Sequence, residues 1–262
     1  DFPHNVYSYS SRRRQKGIFD KLKELYAKKK IRTFRSADGF ILLTEQMKNV
    51  VTEYKPYIVV EGFSDATLIN SAPAYKNKAK VKNIVYLGAL NAKSGILDLI
   101  KAFIDIKKEE LRLDVYGTGV FTDEIIKYCH LDSRINYRGV VSLDEIVKIE
   151  QEAHFLINPR PSNQEFNKYS FPSKTIEYMS SGTPVITTKL EGIPNEYNDF
   201  LYFIDDSNID KLTKDLIKII DENEKHLFEK GERAKEFVLR NKNNIIQGKR
   251  ILDFIHNEFR KN

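Results

Sequence analysis

Cysteine and methionine are scarce in this chain and tryptophan is absent: one, two and none in 262 residues. The lone Cys129 excludes a disulfide framework and any cysteine-rich metal site, which fits a reducing, cytoplasmic compartment. Its place beside Tyr128 in a helical pattern marks it as an inert, partly buried thiol, a common role for free cysteine. No apolar run reaches the ~18–20 residues that a membrane span needs. The five histidines are scattered, with no His-carboxylate-nucleophile grouping and no metal-ligand spacing, so no metal and no cofactor are expected. A Gly-x-Gly-x-x-Gly after the first strand of the main pattern is also missing, which argues against a NAD-binding module.

What is present is a packable chain with a basic end. Hydrophobic residues make up 41 %, enough for a substantial core. The net charge of +6 is concentrated in residues 1–35, where eleven Lys/Arg face three acids. Residues 12–35 also carry Ile18, Phe19, Leu22, Leu25 and Tyr26 at helical spacing. Two readings stand side by side: peripheral contact with an anionic membrane, and a solvated helix packing its apolar stripe on a neighbour. Nucleic acid is not an expected partner, because the rest of the chain offers no basic track.

From about residue 80 the pattern is strand, loop, helix, repeated. "NIVYLGAL" (83–90), "LRLDVYGTG" (111–119), "INYRGV" (135–140), "HFLINP" (154–159), "PVITT" (184–188) and "FLYFID" (200–205) read as strands. "GILDLIKAFIDIK" (95–107) and "SLDEIVKIEQEA" (142–153) read as amphipathic helices, the second opened by a Ser142/Glu145 capping box. Such alternation implies right-handed βαβ units, hence an α/β, Rossmann-like, doubly wound parallel sheet. Ligands bind such sheets beyond the carboxyl ends of the strands. Those ends fall at Gly88, Gly117, Gly139–Val140 and Pro159. Before residue 76 the chain reads as the remnant of a second α/β domain: "DGFILLTEQMKNVV" (38–51) is one strand and one helix, and "PYIVVEG" (56–62) is extended. The expected division is 1–75 for that remnant and its linker, 76–240 for the Rossmann-like domain, and 241–262 for a terminal helix.

"FPSKTIEYMSSGTPVIT" (171–187) carries the chemistry. Pro172 suits a first helical turn, Gly182 stops the helix and Pro184 prevents its continuation. The free N–H groups of that turn form a natural phosphate site, and Ser173 caps either its own turn or a ligand. Lys174 is out of place there, since a cation at a helix N-terminus is disfavoured by ~0.3–1 kcal/mol; an anionic ligand reverses that sign. Glu177, one turn on, is either a solvent-facing glutamate or an acceptor for paired ribose hydroxyls.

The run "NPRPSNQEFNKYSFPSKTIEYMSSGTPVITTKLEGIPNEY" (158–197) resembles the donor-binding region of GT-B glycosyltransferases, specifically the group 1 (family 4) retaining enzymes. "VYLGAL…SGILDLIKAF", "LDVYGTG", "INYRGVVSLDEI" and "ADGFILLTEQMKNVV" resemble the units around it, so the likeness runs from about residue 36 to near the end. It implies transfer of a sugar, with retention, from a nucleoside-diphosphate donor (UDP- ahead of GDP-linked) to a glycan or lipid-linked acceptor at the cytoplasmic membrane face. Cell-surface polysaccharide assembly is the setting it implies, and these enzymes need no metal. Glu177 matches the second signature glutamate and would hold the ribose. Gly88, Ala89, Lys93, Gly117, Gly119, Arg160, Pro172 and Ser173 would lie along the diphosphate, with Lys174 beside it. Gly139 and Val140 would line the nucleobase pocket. The segment around Asp1 resembles a stretch late in the N-terminal domain, so a truncated acceptor domain is expected. The terminal helix 245–259 would pack back across the domain boundary.

Three positions depart from the family pattern. Tyr169 stands where the first signature glutamate belongs, and a phenol does not replace a carboxylate. Ala89 replaces the Arg after the first-strand glycine, and Ser94 replaces the Lys before the next. Lys93, Lys168, Lys174 and Arg160 are the available substitutes, Arg160 with the planar fork that suits a phosphate. These departures support an alternative, a non-catalytic nucleotide-sugar-binding module that works with a partner chain.

Overall fold

Short β-branched and aromatic runs bounded by glycine fold as strands, and the amphipathic segments between them close over both faces. The computed structural model describes residues 36–51, 55–67 and 81–259. The basic segment 12–35 lies outside the described residues. Six strands, β3 (Lys82–Leu87), β4 (Leu111–Tyr116), β5 (Ile135–Gly139), β6 (Phe155–Asn158), β7 (Val185–Thr188) and β8 (Tyr202–Ile204), form one parallel sheet in the order β5-β4-β3-β6-β7-β8. This is the doubly wound arrangement read from the sequence, with its switch point between β3 and β6.

Strand alternation divides the core into two layers. Ile84 and Tyr86 of β3 point into one cluster, with Ile96, Leu99, Ile100 and Phe103 of the helix Ile96–Asp105 and Leu212 and Leu216 of Ile209–Ile220. Val85 and Leu87 point into the other, with Ile176, Tyr178 and Met179 of Ser173–Ser181 and Ala234, Val238 and Leu239 of Glu224–Asn241. The Ser142/Glu145 capping box is present at the start of Leu143–Glu152. Asp205 and Asp206 do not cap the helix that follows them. Asn208 does so, accepting from the Lys211 N–H at 2.9 Å, while Asp206 accepts from Ser162 N at 2.6 Å and so fixes the loop after β6. Cys129 is half-buried against the first core layer, and burial raises its pKa.

Upstream, β1 (Phe40–Leu42) and β2 (Tyr57–Val59) form a separate two-stranded parallel sheet. Between them runs a 3-10 turn, Glu45–Met47, that continues into the helix Lys48–Val51. The linker after β2 is held by a buried ionic cluster. Lys242 Nζ lies 2.5 Å from Glu61 Oε1 and 2.7 Å from Glu196 Oε1, and the Tyr197 hydroxyl donates to Glu61 at 2.9 Å. Burial, followed by the Glu61 charge, pushes the Tyr197 pKa far up, so this phenol acts only as a neutral donor. Ser64 N donates to Lys242 O and Asn244 N to Ser64 O, which stitches the linker to the junction between Glu224–Asn241 and the last helix, Asn244–Phe259. That helix then reaches the small sheet, where Arg250 donates to Val59 O at 3.2 Å.

Removing one partner of a buried pair leaves the other charge uncompensated, at a cost of ~3–5 kcal/mol. Lys242→Met is therefore expected to lower unfolding free energy by ~3 kcal/mol, and Lys242→Met combined with Glu61→Leu to restore most of it. Urea unfolding of the three proteins measures this; a loss under ~1 kcal/mol for the single change would show the cluster to be energetically idle.

Candidate active site at the sheet switch point

β3 pairs with β6 only at Ile84–Phe155 and Val85–Leu156, whereas it pairs with β4 along its whole length. Beyond Val85 the two strands part, and the Leu87 N–H and C=O on that side lose a strand partner. The buried hydroxyl of Tyr178 takes both: it accepts from Leu87 N at 3.1 Å and donates to Leu87 O at 3.0 Å. The helix Ser173–Ser181 is thereby tied to the end of β3, with its N-terminus at the mouth of the crevice. Pro172 is the cap residue of that helix rather than part of its first turn, and no side chain caps it. Ser173 is exposed beside it.

The glycines at the strand ends bring loops together. Gly117 has φ +129°, and a Cβ there would stand 1.9 Å from Gly88 O. A Cβ on Gly119 would stand 2.3 Å from Leu90 O. The absence of a Cβ at these two residues lets the loops after β3 and β4 touch. Gly95, which sequence reasoning passed over, does the same across the switch point: at φ +71° it sits where a Cβ would be 1.8 Å from Pro159 O. Gly117 N donates to Gly139 O at 2.7 Å, which continues the rim to β5, where Val140 is 71 % exposed. Ala89 is exposed, and its carbonyl accepts from the Tyr86 hydroxyl at 2.9 Å.

Arg160 is the cation at the centre of this arrangement. It follows β6 directly, is half-buried, and burial lowers its pKa. The groups acting on it are the phenols of Tyr86 and Tyr178, and among the described residues no carboxylate pairs with it. A guanidinium partly removed from water without a counter-ion is costly, and an anionic ligand offsets that cost. Two residues earlier, buried Asn158 Nδ2 also has no partner among the described residues. Lys93 reaches over the Phe166 ring at 5.1 Å, and Lys168 pairs with Glu191 at 3.4 Å.

Lys174 is less isolated than its position implied. Its Nζ lies 3.1 and 3.3 Å from the two Glu177 oxygens, and 5.6 Å from the Tyr178 ring centroid. Its carboxylate partner already accounts for a cation at a helix start. Behind this pair lies a group that sequence reasoning missed, Glu150, which is 4 % exposed. Tyr169 is placed elsewhere, in an apolar cluster with Leu42 and Met47, packed by Phe40, Tyr57 and Val59. Asn83 and His154 exchange hydrogen bonds between β3 and the start of β6, a structural role. Among the described residues no group of three or more His, Cys, Asp or Glu is arranged to hold a metal, and no helix is long and apolar enough to cross a membrane.

The chain is thus an open doubly wound α/β protein whose switch-point crevice is rimmed by glycines and holds Arg160. The family described as glycosyl transferases group 1 matches residues 81–222, and this chain belongs to it. It is a family of sugar-transferring enzymes. No curated protein matches the chain by sequence. Among solved structures, sucrose-phosphate synthase from Thermosynechococcus elongatus is similar with TM-score 0.74 at 15 % identity, over 98 % of this chain and 65 % of that one. A mutant TarM from S. aureus in complex with Fondaparinux, alpha-GlcNAc-glycerol and UDP gives 0.68 at 19 %, over 89 % and 46 %. HepE from Anabaena in complex with UDP and glucose gives 0.67 at 14 %, over 89 % and 68 %. The chain spans less than two thirds of the first two, and these likenesses bear on the fold.

Tyr178→Phe removes the hydroxyl that replaces the missing strand. Leaving a buried donor and acceptor unpaired costs ~1–3 kcal/mol. The expected loss is ~2 kcal/mol in denaturant unfolding, with faster amide exchange at Leu87; unchanged exchange there would contradict the clamp.

Proposed function

We propose that this chain contributes the donor-binding part of a retaining glycosyltransferase that uses a nucleoside-diphosphate sugar, UDP-linked, and transfers the sugar to a glycan or lipid-linked acceptor. The observation that carries the reading is Arg160, a half-buried guanidinium at the switch point with no carboxylate partner among the described residues. Its planar fork suits bidentate contact with a diphosphate, and it compensates for the cations missing at Ala89 and Ser94. The uncapped start of Ser173–Ser181 adds two further donors and the positive end of the helix dipole. Lys174 and Lys93 complete the positive wall.

Glu177, held by Lys174, accepts from the ribose hydroxyls, and the base lies toward Gly139 and Val140. As the glycosidic bond breaks, charge develops on the leaving diphosphate, and Arg160 with the helix N-terminus stabilises it in place. Fixed donors aimed at developing charge are the largest single contribution in many enzymes. UDP is favoured because two similar folds, TarM and HepE, hold it. Residues 1–75 belong to the acceptor side, and the work is assigned to cell-surface polysaccharide assembly at the cytoplasmic membrane face. One observation favours a second reading, a binding module that acts with a partner chain: Tyr169 lies in the apolar cluster of Leu42 and Met47, which leaves the first signature carboxylate without a substitute.

Thermal shift with UDP, GDP and ADP tests the donor site. Ligand at 100 times Kd adds ~2.7 kcal/mol of stability by mass action, a rise of ~5–10 °C for a chain of this size. UDP is expected to give that rise, and Arg160→Ala to weaken UDP by at least ~tenfold, the size of one charge-assisted contact. No shift with any nucleotide would contradict the proposal. Donor hydrolysis or transfer by the protein separates the enzyme from the binding module.

A further inference from the structure

Glu150 sits in the helix Leu143–Glu152, which packs against Ser173–Ser181. It is almost wholly buried, and its Oε1 has no hydrogen-bond partner among the described residues. A buried carboxylate with an orphan oxygen is costly, whereas a buried carboxylic acid is tolerated once its O–H finds an acceptor. The acceptor that the facing helix offers is the Glu177 carboxylate, whose charge acts on Glu150. The titratable groups acting on Glu150 are Glu177 and Lys174, and Glu150 in turn bears on the Tyr178 phenol, all three on the facing helix. Two carboxyl groups that face each other away from water repel when both are ionised.

We infer that Glu150 is a neutral carboxylic acid whose O–H donates to the Glu177 carboxylate, a positioning residue that fixes, together with Lys174, the direction in which Glu177 presents itself to the donor. The part concerning the donor rests on the proposed function. Glu177 is then held from two sides, by an ammonium at its outer face and an acid behind it, so that it stays aimed. Burial first and the Glu177 charge second push the Glu150 pKa up to about 8, with Lys174 pulling the other way. The folded value thus lies above the unfolded one. Its contribution to stability is complete below the ordinary glutamate range, and is lost as pH rises through about 8. Above that point two charges face each other, and Glu177 is repelled from its place.

Carboxyl-carbon NMR of glutamate-labelled protein tests the pair without any ligand. One carboxyl is expected to titrate near 8, to vanish in Glu150→Gln, and to move down in Glu177→Gln, where the facing charge is gone. UDP affinity between pH 7.0 and 9.5 tests the consequence. It is expected to fall by about tenfold across the transition in the unmutated protein, one unit of coupling being tenfold. In Glu150→Gln, which keeps a donor but cannot ionise, affinity is expected to stay level. A merely structural Glu150 would leave the same alkaline loss in both proteins. All glutamates titrating below about 6, a high titration unmoved by Glu177→Gln, or an alkaline loss that survives Glu150→Gln would each overturn the inference. Failure of UDP to bind the unmutated protein at any pH overturns the donor reading instead, and the carboxyl titration then decides the pair on its own.

Discussion

A single phenolic hydroxyl holds the crevice open. Where β3 and β6 diverge, sheet pairing ends at Val85, and Leu87 is left with a donor and an acceptor facing no strand. Water filling that gap would leave the signature helix free to drift. Tyr178 closes both bonds from inside the second core layer, so the position of Ser173–Ser181 is set by the backbone of the sheet itself. Everything the helix carries inherits that placement: the uncapped N-terminus, Lys174, Glu177 and the face that meets Glu150. Burial of the phenol raises its pKa well above the ordinary tyrosine range, so the clamp does not titrate near neutral pH.

Charge around this clamp is graded with depth. Arg160 and its two phenol neighbours lie at the strand ends, the Lys174–Glu177 pair lies on the helix surface, and Glu150 lies beneath. The Lys174–Glu177 pair is partly exposed, and such pairs stabilise little by themselves. Its importance is geometric, because it holds a carboxylate and an ammonium side by side near the start of Ser173–Ser181, where the proposal places the donor. On the first loop Ala89 and Ser94 stand where the family pattern has cations, Arg160 stands just past the end of β6, and Gly95 keeps that end in contact with the first loop.

Much of this was legible in the sequence because it depends on local pattern. The six strands from 82 onward, and the helices read at 95–107, 142–153 and 245–259, fall within two or three residues of the bounds read from periodicity and glycine breaks. The signature run marked Glu177, and the "NPR" strand end marked Arg160. What escaped depends on tertiary placement. Glu150 reads as one more polar position on an amphipathic helix, and only packing against another helix 23 residues on makes it a buried acid beside Glu177. Tyr178 reads as core, and its hydroxyl acquires a task only where two strands separate. Tyr169 was compared with a missing carboxylate, but its environment is the apolar cluster of the upstream sheet. Gly117 and Gly119 stand out in the sequence as strand-end glycines, but that a Cβ there would meet the neighbouring loop depends on tertiary placement. The Lys174–Glu177 spacing of three was visible, since such pairs are neighbours on a helix.

The central claim is that a nucleoside diphosphate binds where β3 and β6 part, against Arg160 and the start of Ser173–Ser181. Backbone-amide and arginine side-chain NMR during a UDP titration tests it most directly. The account predicts saturable shifts concentrated at Gly88, Ala89, Ser173, Lys174 and the Arg160 guanidinium, weaker ones at Gly139 and Val140, and little change along β1 and β2. Shifts that saturate on another face of the sheet, with Arg160 and Ser173 unmoved, would contradict it.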